Sequence, residues 1–399
     1  MFGGLVEELV QKNDSRILLA VIDGLGDISI EELGGKTPLE AAITPEMDRL
    51  AAGGVLGVHI PIARGITPGS GPAHLGLFGY DPVLYQVGRG ALAALGVGFE
   101  LKHGDLAARI NFCTLDDQGI VTDRRAGRIT SEKCAELVGM LADIKIEDVE
   151  TFVVPVKQHR ACVVFRGNGL SDDIQDTDPG LVGLEPIPVE GSDKTRNVVR
   201  EFLRKAEEIL KGLHPANFIL LRGFALHKEF PSIEERFGLT AAAVALYPMY
   251  RGVAGLVGMN VVKCDPENLS GQAEAVRRAL DDGHDFVFLH HKPADSAGED
   301  GNVQAKIRAI EEFDRALPSF LDSGFDVVCI TGDHSTPCPM KLHSWHSVPV
   351  LIHGGPQRWG YSSAFSEKQA VYGAMGSFMA TDIMPLLLAS AGKLAKFGA

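Results

Sequence analysis

Three short apolar runs in this chain end at or near an aspartate. Ile17–Ile22 (ILLAVI) runs into Asp23, 286–289 (FVFL) leads through His290-His291-Lys292-Pro293 to Asp295, and 327–330 (VVCI) leads through Thr331-Gly332 to Asp333 and His334. Runs that are apolar throughout, with no alternation, predict strands buried on both faces of a parallel sheet. In open α/β sheets ligands bind beyond the carboxyl ends of such strands, so three acids placed there can converge on one site. Between the runs the apolar spacing becomes helical. Thr44-Pro45 predicts a capped helix start with Met47, Leu50 and Ala51 on one face, and Val303, Ile307, Ile310, Phe313 and Leu317 follow the same period. Strand, helix and strand in that order imply a right-handed parallel crossover.

The middle of the chain reads differently. From about residue 100 to 245, short apolar runs (162–165, 218–221) alternate with polar loops and one amphipathic helix, predicted over 198–210. Asp23 and the residues near 70 need Asp295, Asp333 and His334 as partners, and those lie beyond this stretch. The expected organisation is therefore a discontinuous metal-binding domain, 1–95 and 246–399, interrupted by an inserted α+β domain, 96–245. The 399 residues are enough for roughly two to three domains.

Charge narrows the partners. The chain has 38 Lys and Arg against 52 Asp and Glu, a net charge of −14, which argues against nucleic acid and anionic membrane as partners. An anionic substrate then needs positive charge gathered locally, from arginines or bound metal ions. Six cysteines stand without CxxC spacing, as expected of reduced thiols in a cytoplasm. The first 14 residues carry acids and no long apolar run, so no secretory leader is expected. No stretch reaches the roughly 20 apolar residues that cross a bilayer.

Three sets of residues carry candidate chemistry. Asp23, Asp295, Asp333, His334 and His343 are oxygen and imidazole donors of the kind that hold Mn, Mg or Zn. Each alone fits a cap, a turn or a surface site equally well; their shared placement at strand ends favours a metal centre. His291 and His346 are expected to be structural. Ser70, in Thr67-Pro-Gly-Ser-Gly-Pro-Ala-His-Leu75, sits among small residues that let the backbone turn and expose its hydroxyl, although a simple Gly/Pro loop explains the same pattern. Pro68 rules out the GxSxG elbow. Beside divalent ions such a hydroxyl becomes a nucleophile toward phosphorus. The third set is arginine-rich: Arg109, Asp123-Arg124-Arg125-Ala-Gly-Arg128 and His159-Arg160. Guanidinium forks match phosphate and carboxylate oxygens. Gly88-Arg-Gly-Ala-Leu-Ala93 matches GxGxxA only formally, since no βαβ frame surrounds it.

Taken in order, Asp23-Gly-Leu-Gly-Asp27, Gly35-Lys-Thr-Pro-Leu-Glu-Ala-Ala42, Pro68-Gly-Ser-Gly-Pro-Ala-His-Leu75, Gly79-Tyr-Asp-Pro82, Asp123-Arg-Arg-Ala-Gly-Arg128, Asp176-Thr-Asp-Pro179 and Thr331-Gly-Asp-His-Ser-Thr-Pro337 resemble the archaeal-type cofactor-independent phosphoglycerate mutases along almost the whole chain. The resemblance implies an alkaline-phosphatase-like metal-binding α/β domain carrying an inserted transferase domain. It also implies phosphoryl transfer between the 2- and 3-hydroxyls of glycerate through a phosphoserine, with two divalent ions per chain, Mn or Mg first and Zn or Co as further options. The substrate would be a small phosphorylated hydroxy acid, bound by Arg109, Asp123, Arg124, Arg125, Arg128, His159 and Arg160. Position by position, Ser70 matches the nucleophile. Asp23, Ser70, Asp333 and His334 match the ligands of one metal, and Asp295 and His343 match two ligands of the other. His343 is preferred to His346 because of its distance from Val348-Pro349. The third ligand of that second site is His in the family pattern Asp-x-x-Gly-His, and here it is Glu299. A homoserine-kinase-like phosphotransferase and a non-catalytic homologue are the alternatives within the same family.

Overall fold

The computed structural model describes residues 4–227, 229–357 and 361–398. It divides into two compact units, one made of residues 1–86 and 231–399 and the other of residues 87–230.

The discontinuous unit is built on an eight-stranded sheet. Its order is Gly376–Met379, Val55–Ile60, Val348–Gly354, Val327–Thr331, Ile17–Ile22, Phe286–His291, Ala241–Ala245 and Asn260–Val261. All neighbours pair in parallel except around Val348–Gly354, which is antiparallel to both its partners. The three runs read from the pattern are adjacent: Ile17–Ile22 pairs with Phe286–His291 on one side and Val327–Thr331 on the other. The crossover between the last two is parallel, and it skips over the first strand. All three strands are buried along their length, the state that continuous apolar runs require. The helices Pro45–Ala52, Leu269–Asp281 and Val303–Leu321 pack apolar faces into one core with the sheet. Val303–Leu321 continues four residues past the predicted stripe.

One buried ion pair holds the carboxyl end of this sheet. Lys306 and Asp27 are both fully or almost fully buried. The Lys306 Nζ donates to Asp27 Oδ2 at 2.8 Å and to the carbonyls of Gly26 and Thr336 at 3.0 Å each. A Lys306→Met substitution strands the Asp27 charge and frees two carbonyls. We expect it to cost about 3–5 kcal/mol, read as a lower urea midpoint; an unchanged midpoint would show that the pair is dispensable.

The inserted unit is an antiparallel sheet of Val121–Asp123, Leu106–Leu115, Arg160–Arg166 and Glu150–Lys157, with Phe218–Leu226 pairing on Leu106–Leu115. Helices Ser131–Leu141 and Asp193–Leu210 cover one face. The second of these begins five residues before the expected 198, because Ser192 and Asp193 already lie in helix-start geometry.

The expected boundaries at 95/96 and 245/246 need correction to 86/87 and 230/231. The helix Arg89–Gly96 belongs to the insertion, where Ala91, Ala93 and Ala94 pack on Ala107, Cys162, Val164 and Ala225. The strand Ala241–Ala245 belongs to the large sheet, paired with Phe286–His290. Its sequence, AAAVA, has a single β-branched residue, Val244, among alanines, so only the pairing reveals it.

All six cysteines are buried and unpaired, and no helix among the described residues is long and apolar enough to cross a membrane.

Candidate functional site

Strand ends deliver the acids. Asp23 follows Ile17–Ile22, Asp333 and His334 follow Val327–Thr331, and Asp295 lies in the first turn of the helix Pro293–Asp300 that follows Phe286–His291. All four are essentially inaccessible to solvent. Ser70 is the first residue of the helix Ser70–Leu77, with Gly69 extended just before it. This places the Ser70 Oγ 3.2 Å from His334 Nε2.

The donors form two groups that share His334. In one, Asp23, Asp333 and His334 bring a ligand atom each within 4.8 Å of one another, and in the other Asp295, His334 and His343 do the same. His334 Nε2 lies 3.1 Å from Asp333 Oδ2 and 3.5 Å from Asp23 Oδ1. His343 Nε2 lies 3.6 Å from Asp295 Oδ1, and its Nδ1 donates to the Pro68 carbonyl at 3.0 Å. That bond leaves the Nε2 lone pair facing Asp295. The His334 and His343 rings stack at 3.7 Å.

These residues fit divalent cations. Asp23 Oδ1 and Asp333 Oδ2 are buried without a hydrogen bond, which is costly unless a cation completes them. Hard carboxylate oxygens mixed with imidazole nitrogens suit Mn, Mg or Zn. Burial acts to raise the Asp23 carboxyl, yet the neighbouring Lys292 and His290 hold it well below the usual range. Burial and the Asp23 charge likewise act to raise Asp333, and His334 and His74 outweigh them, so it too is lowered. Both are therefore anionic donors.

Glu299 stands apart from the tight groups. Its Oε1 is 3.9 Å from His343 Nε2 and its side chain is 56% exposed. Burial and the Asp295 charge raise its carboxyl. His291 Nε2 donates to the Ala309 carbonyl and His346 bonds the Ser344 hydroxyl, structural placements in both cases.

Several participants were not assigned from the sequence. Lys292 lies 3.2 Å from Asp23 Oδ2 and bonds Asp295, placing an ammonium between the two groups. His290 Nε2 is 3.1 Å from Asp23 Oδ2, under a stacked Tyr250. His74 Nδ1 bonds the Ser70 carbonyl at 2.8 Å and faces Asp333 at 3.3 Å. The cation three residues before Asp295 and the histidine one turn after Ser70 were the available signals.

In the inserted unit the arginines gather on one sheet face. Arg109 is directly opposite Arg222, and Arg160 is opposite Asn111, two residues from Arg109, so all four side chains leave from the same side. Asp178 takes Arg124 in a two-pronged bond at 2.8 and 2.9 Å and holds Arg222 at 3.2 Å. Asp123 uses both oxygens on the backbone amides of Arg125 and Gly127. Its place is therefore to shape the loop that presents the exposed Arg125 and Arg128. His159 is buried, and burial together with Arg160, Arg125, Arg109 and Arg128 lowers its pKa to about 4, so a neutral imidazole sits among these cations. Arg222 and Asp178 were not assigned beforehand, although Asp178 stands within the Asp176-Thr-Asp-Pro motif.

The fold and its donors define a two-unit α/β protein that presents a serine hydroxyl beside a divalent-cation donor set, with an arginine-rich face on the inserted unit. A family model described as 2,3-bisphosphoglycerate-independent phosphoglycerate mutase matches residues 51–217. A protein of Aquifex aeolicus described as "Probable 2,3-bisphosphoglycerate-independent phosphoglycerate mutase" is 45% identical over 99% of this chain and 100% of its own length. One from Thermosipho africanus with the same description is 48% identical over 99% and 98%. Among solved structures, the cofactor-independent phosphoglycerate mutase of Thermoplasma acidophilum is 32% identical with a TM-score of 0.70, covering 95% of this chain and 100% of that one. A Pyrococcus horikoshii protein aligns at 34% identity and a TM-score of 0.84 over 96% and 99%. This chain belongs to the 2,3-bisphosphoglycerate-independent phosphoglycerate mutase family.

Proposed function

We propose that the chain is an isomerase that interconverts 3-phosphoglycerate and 2-phosphoglycerate through a phosphoserine at Ser70. The observation that carries this reading is the Ser70 hydroxyl 3.2 Å from His334 Nε2, at the meeting point of two carboxylate–histidine groups. Asp23, Ser70, Asp333 and His334 would hold one divalent ion, Mn or Mg by donor hardness, and Asp295, His343 and Glu299 the other. Such ions neutralise phosphoryl oxygens and favour the serine alkoxide.

The chain's own residues divide the rest of the work. Ser70 Oγ attacks phosphorus, the bond from phosphorus to one glycerate oxygen breaks, and the phosphoryl group rests on the serine. Glycerate then turns within the site, its other hydroxyl attacks the same phosphorus, and the serine is restored. Nothing is consumed, as an isomerisation requires. Retention of glycerate between the two transfers falls to cations that match its carboxylate. Arg109, Arg125, Arg128 and Arg160 would supply those cations, with the neutral His159 among them as a ring donor, and Asp123 and Arg124 support them through the loop and through Asp178. The reading is tested with purified protein, Mn²⁺ and 3-phosphoglycerate, coupling product to enolase. Formation of 2-phosphoglycerate without free phosphate is expected. Release of phosphate alone would make the protein a phosphatase.

Glu299 makes a separate prediction. Glu supplies an anionic oxygen where imidazole would supply a neutral nitrogen, so the second ion should be a hard one. Glu299→His should strengthen Zn²⁺ or Co²⁺ binding by about tenfold relative to Mg²⁺, measured by calorimetry. Unchanged preference and stoichiometry would remove Glu299 from the ligand set.

A further inference from the structure

Thr336 follows Asp333 and His334 in the same loop and is fully buried. Its Oγ1 lies 2.6 Å from Asp295 Oδ1 and 3.0 Å from His334 Nδ1. One hydroxyl therefore touches both carboxylate–histidine groups. We propose that Thr336 is a positioning residue: its hydroxyl holds His334 with the proton on Nδ1, turns the Nε2 lone pair toward Asp23, Asp333 and Ser70, and ties that ring to Asp295, so that the two groups bind their cations as a linked pair.

Proton counting leads to this assignment. A hydroxyl has one proton to give. The 2.6 Å separation from Asp295 lies in the range of a charge-assisted O–H to carboxylate bond, so the proton points there. A lone pair of the same oxygen then faces His334 Nδ1, and an attractive contact at 3.0 Å requires Nδ1 to carry hydrogen. In the neutral ring Nε2 is then bare. Nε2 is the atom that faces Ser70 Oγ, Asp333 Oδ2 and Asp23 Oδ1. The opposite tautomer would set two lone pairs against each other at Thr336. Asp333 Oδ2, the closest carboxylate oxygen to Nε2, lies 3.1 Å away and shares no hydrogen bond with it. Such outer partners commonly fix the tautomer and orientation of a ligating histidine.

The seat of Thr336 is enforced from three sides. Lys306 donates to its carbonyl at 3.0 Å. Gly24 adopts φ +64°, and a Cβ there would lie 2.6 Å from Thr336 Oγ1 and 2.8 Å from Asp295 Cβ. A Cβ on Gly298 would lie 2.9 Å from Thr336 Cγ2. The glycines of Asp23-Gly-Leu-Gly and Ala297-Gly-Glu thus leave the room in which the hydroxyl bridges the groups. The threonine's chemistry accounts for glycine in two motifs far apart in the chain.

The linked-cation part rests on the metal-binding reading above; the tautomer part stands without it. The test uses the full chain labelled with ¹⁵N-histidine and freed of metal, at pH 8. Long-range ¹H–¹⁵N correlation should show His334 protonated on Nδ1, and a ring protonated on Nε2 in the wild type overturns the proposal. Mn²⁺ titration then compares Thr336→Val, which keeps the shape, with Thr336→Ser, which keeps the hydroxyl. We expect Thr336→Val to weaken both cations by about 10–100-fold and Thr336→Ser to stay within about threefold of wild type. Weakening of one cation alone, equal loss in both variants, or no loss in Thr336→Val overturns the linkage. If Thr336→Val does not fold, the wild-type tautomer and the Thr336→Ser titration decide. If the wild type binds no divalent cation, the metal reading falls with the linkage, and the tautomer still judges the role of Thr336.

Discussion

Ser70→Ala is expected to lower the conversion of 3-phosphoglycerate to 2-phosphoglycerate by on the order of 10⁴-fold or more, the scale seen when a covalent nucleophile is removed. The reason is local. Ser70 Oγ is the hydroxyl that faces His334 Nε2, the ring nitrogen that also faces the Asp23 and Asp333 carboxylates. The other hydroxyl in contact with His334, that of Thr336, bonds the opposite ring nitrogen and is fully buried. Stability should change little, because the side chain is half-buried at the start of a helix and loses one hydrogen bond, worth about 0.5–1.5 kcal/mol. The measurement pairs the enolase-coupled rate with mass spectrometry of acid-quenched wild type, where phosphate should sit on the peptide containing Ser70. Activity within about tenfold of wild type, or phosphate on another residue, would take the nucleophile's role from Ser70.

Exhaustive chelation should abolish turnover and also soften the protein, with Mn²⁺ restoring both. Asp23 and Asp333 are buried anions, each with an oxygen that makes no hydrogen bond. Without a cation their mutual repulsion is opposed by the nearby basic groups Lys292, His290, His334 and His74 and by the Gly24 amide, which donates to Asp333. A cation present at about 100 times its dissociation constant stabilises the native state by about 2.7 kcal/mol. For units of this size that corresponds to roughly 5–10 °C in Tm. Full turnover at a metal content far below one ion per chain would remove the cations from the mechanism.

Both predictions start from residues that the sequence identifies. The three apolar runs could be read as buried strands because a strand covered on both faces must be apolar throughout, and the acids at their ends followed from chain order alone. The resemblance of ordered motifs from Asp23 to Pro337 carried the family, and relatives at 45–48% identity agree with it. Strand Ala241–Ala245 was illegible for a physical reason. Its alanines have no shape preference strong enough to mark a strand, and its pairing with Phe286–His290 is a contact across more than forty residues. The helix Arg89–Gly96 was assigned to the wrong unit because its alanines suit either core, and only packing on Ala107 and Cys162 settles it.

At the site, sequence by itself determined which donor types are present and that they follow strand ends. Tertiary structure decided how they share the work. Lys292 lies between Asp23 and Asp295 because two strands adjacent in the sheet bring their ends together. Asp123, a candidate substrate contact, also braces its loop, since an Asp side chain reaches the amide two residues on. Thr336 bridges two groups only because Gly24 and Gly298 admit it. Composition and spacing record what a residue can offer. Which partner takes the offer depends on distances between segments far apart in the chain, and those exist only once the sheet has formed.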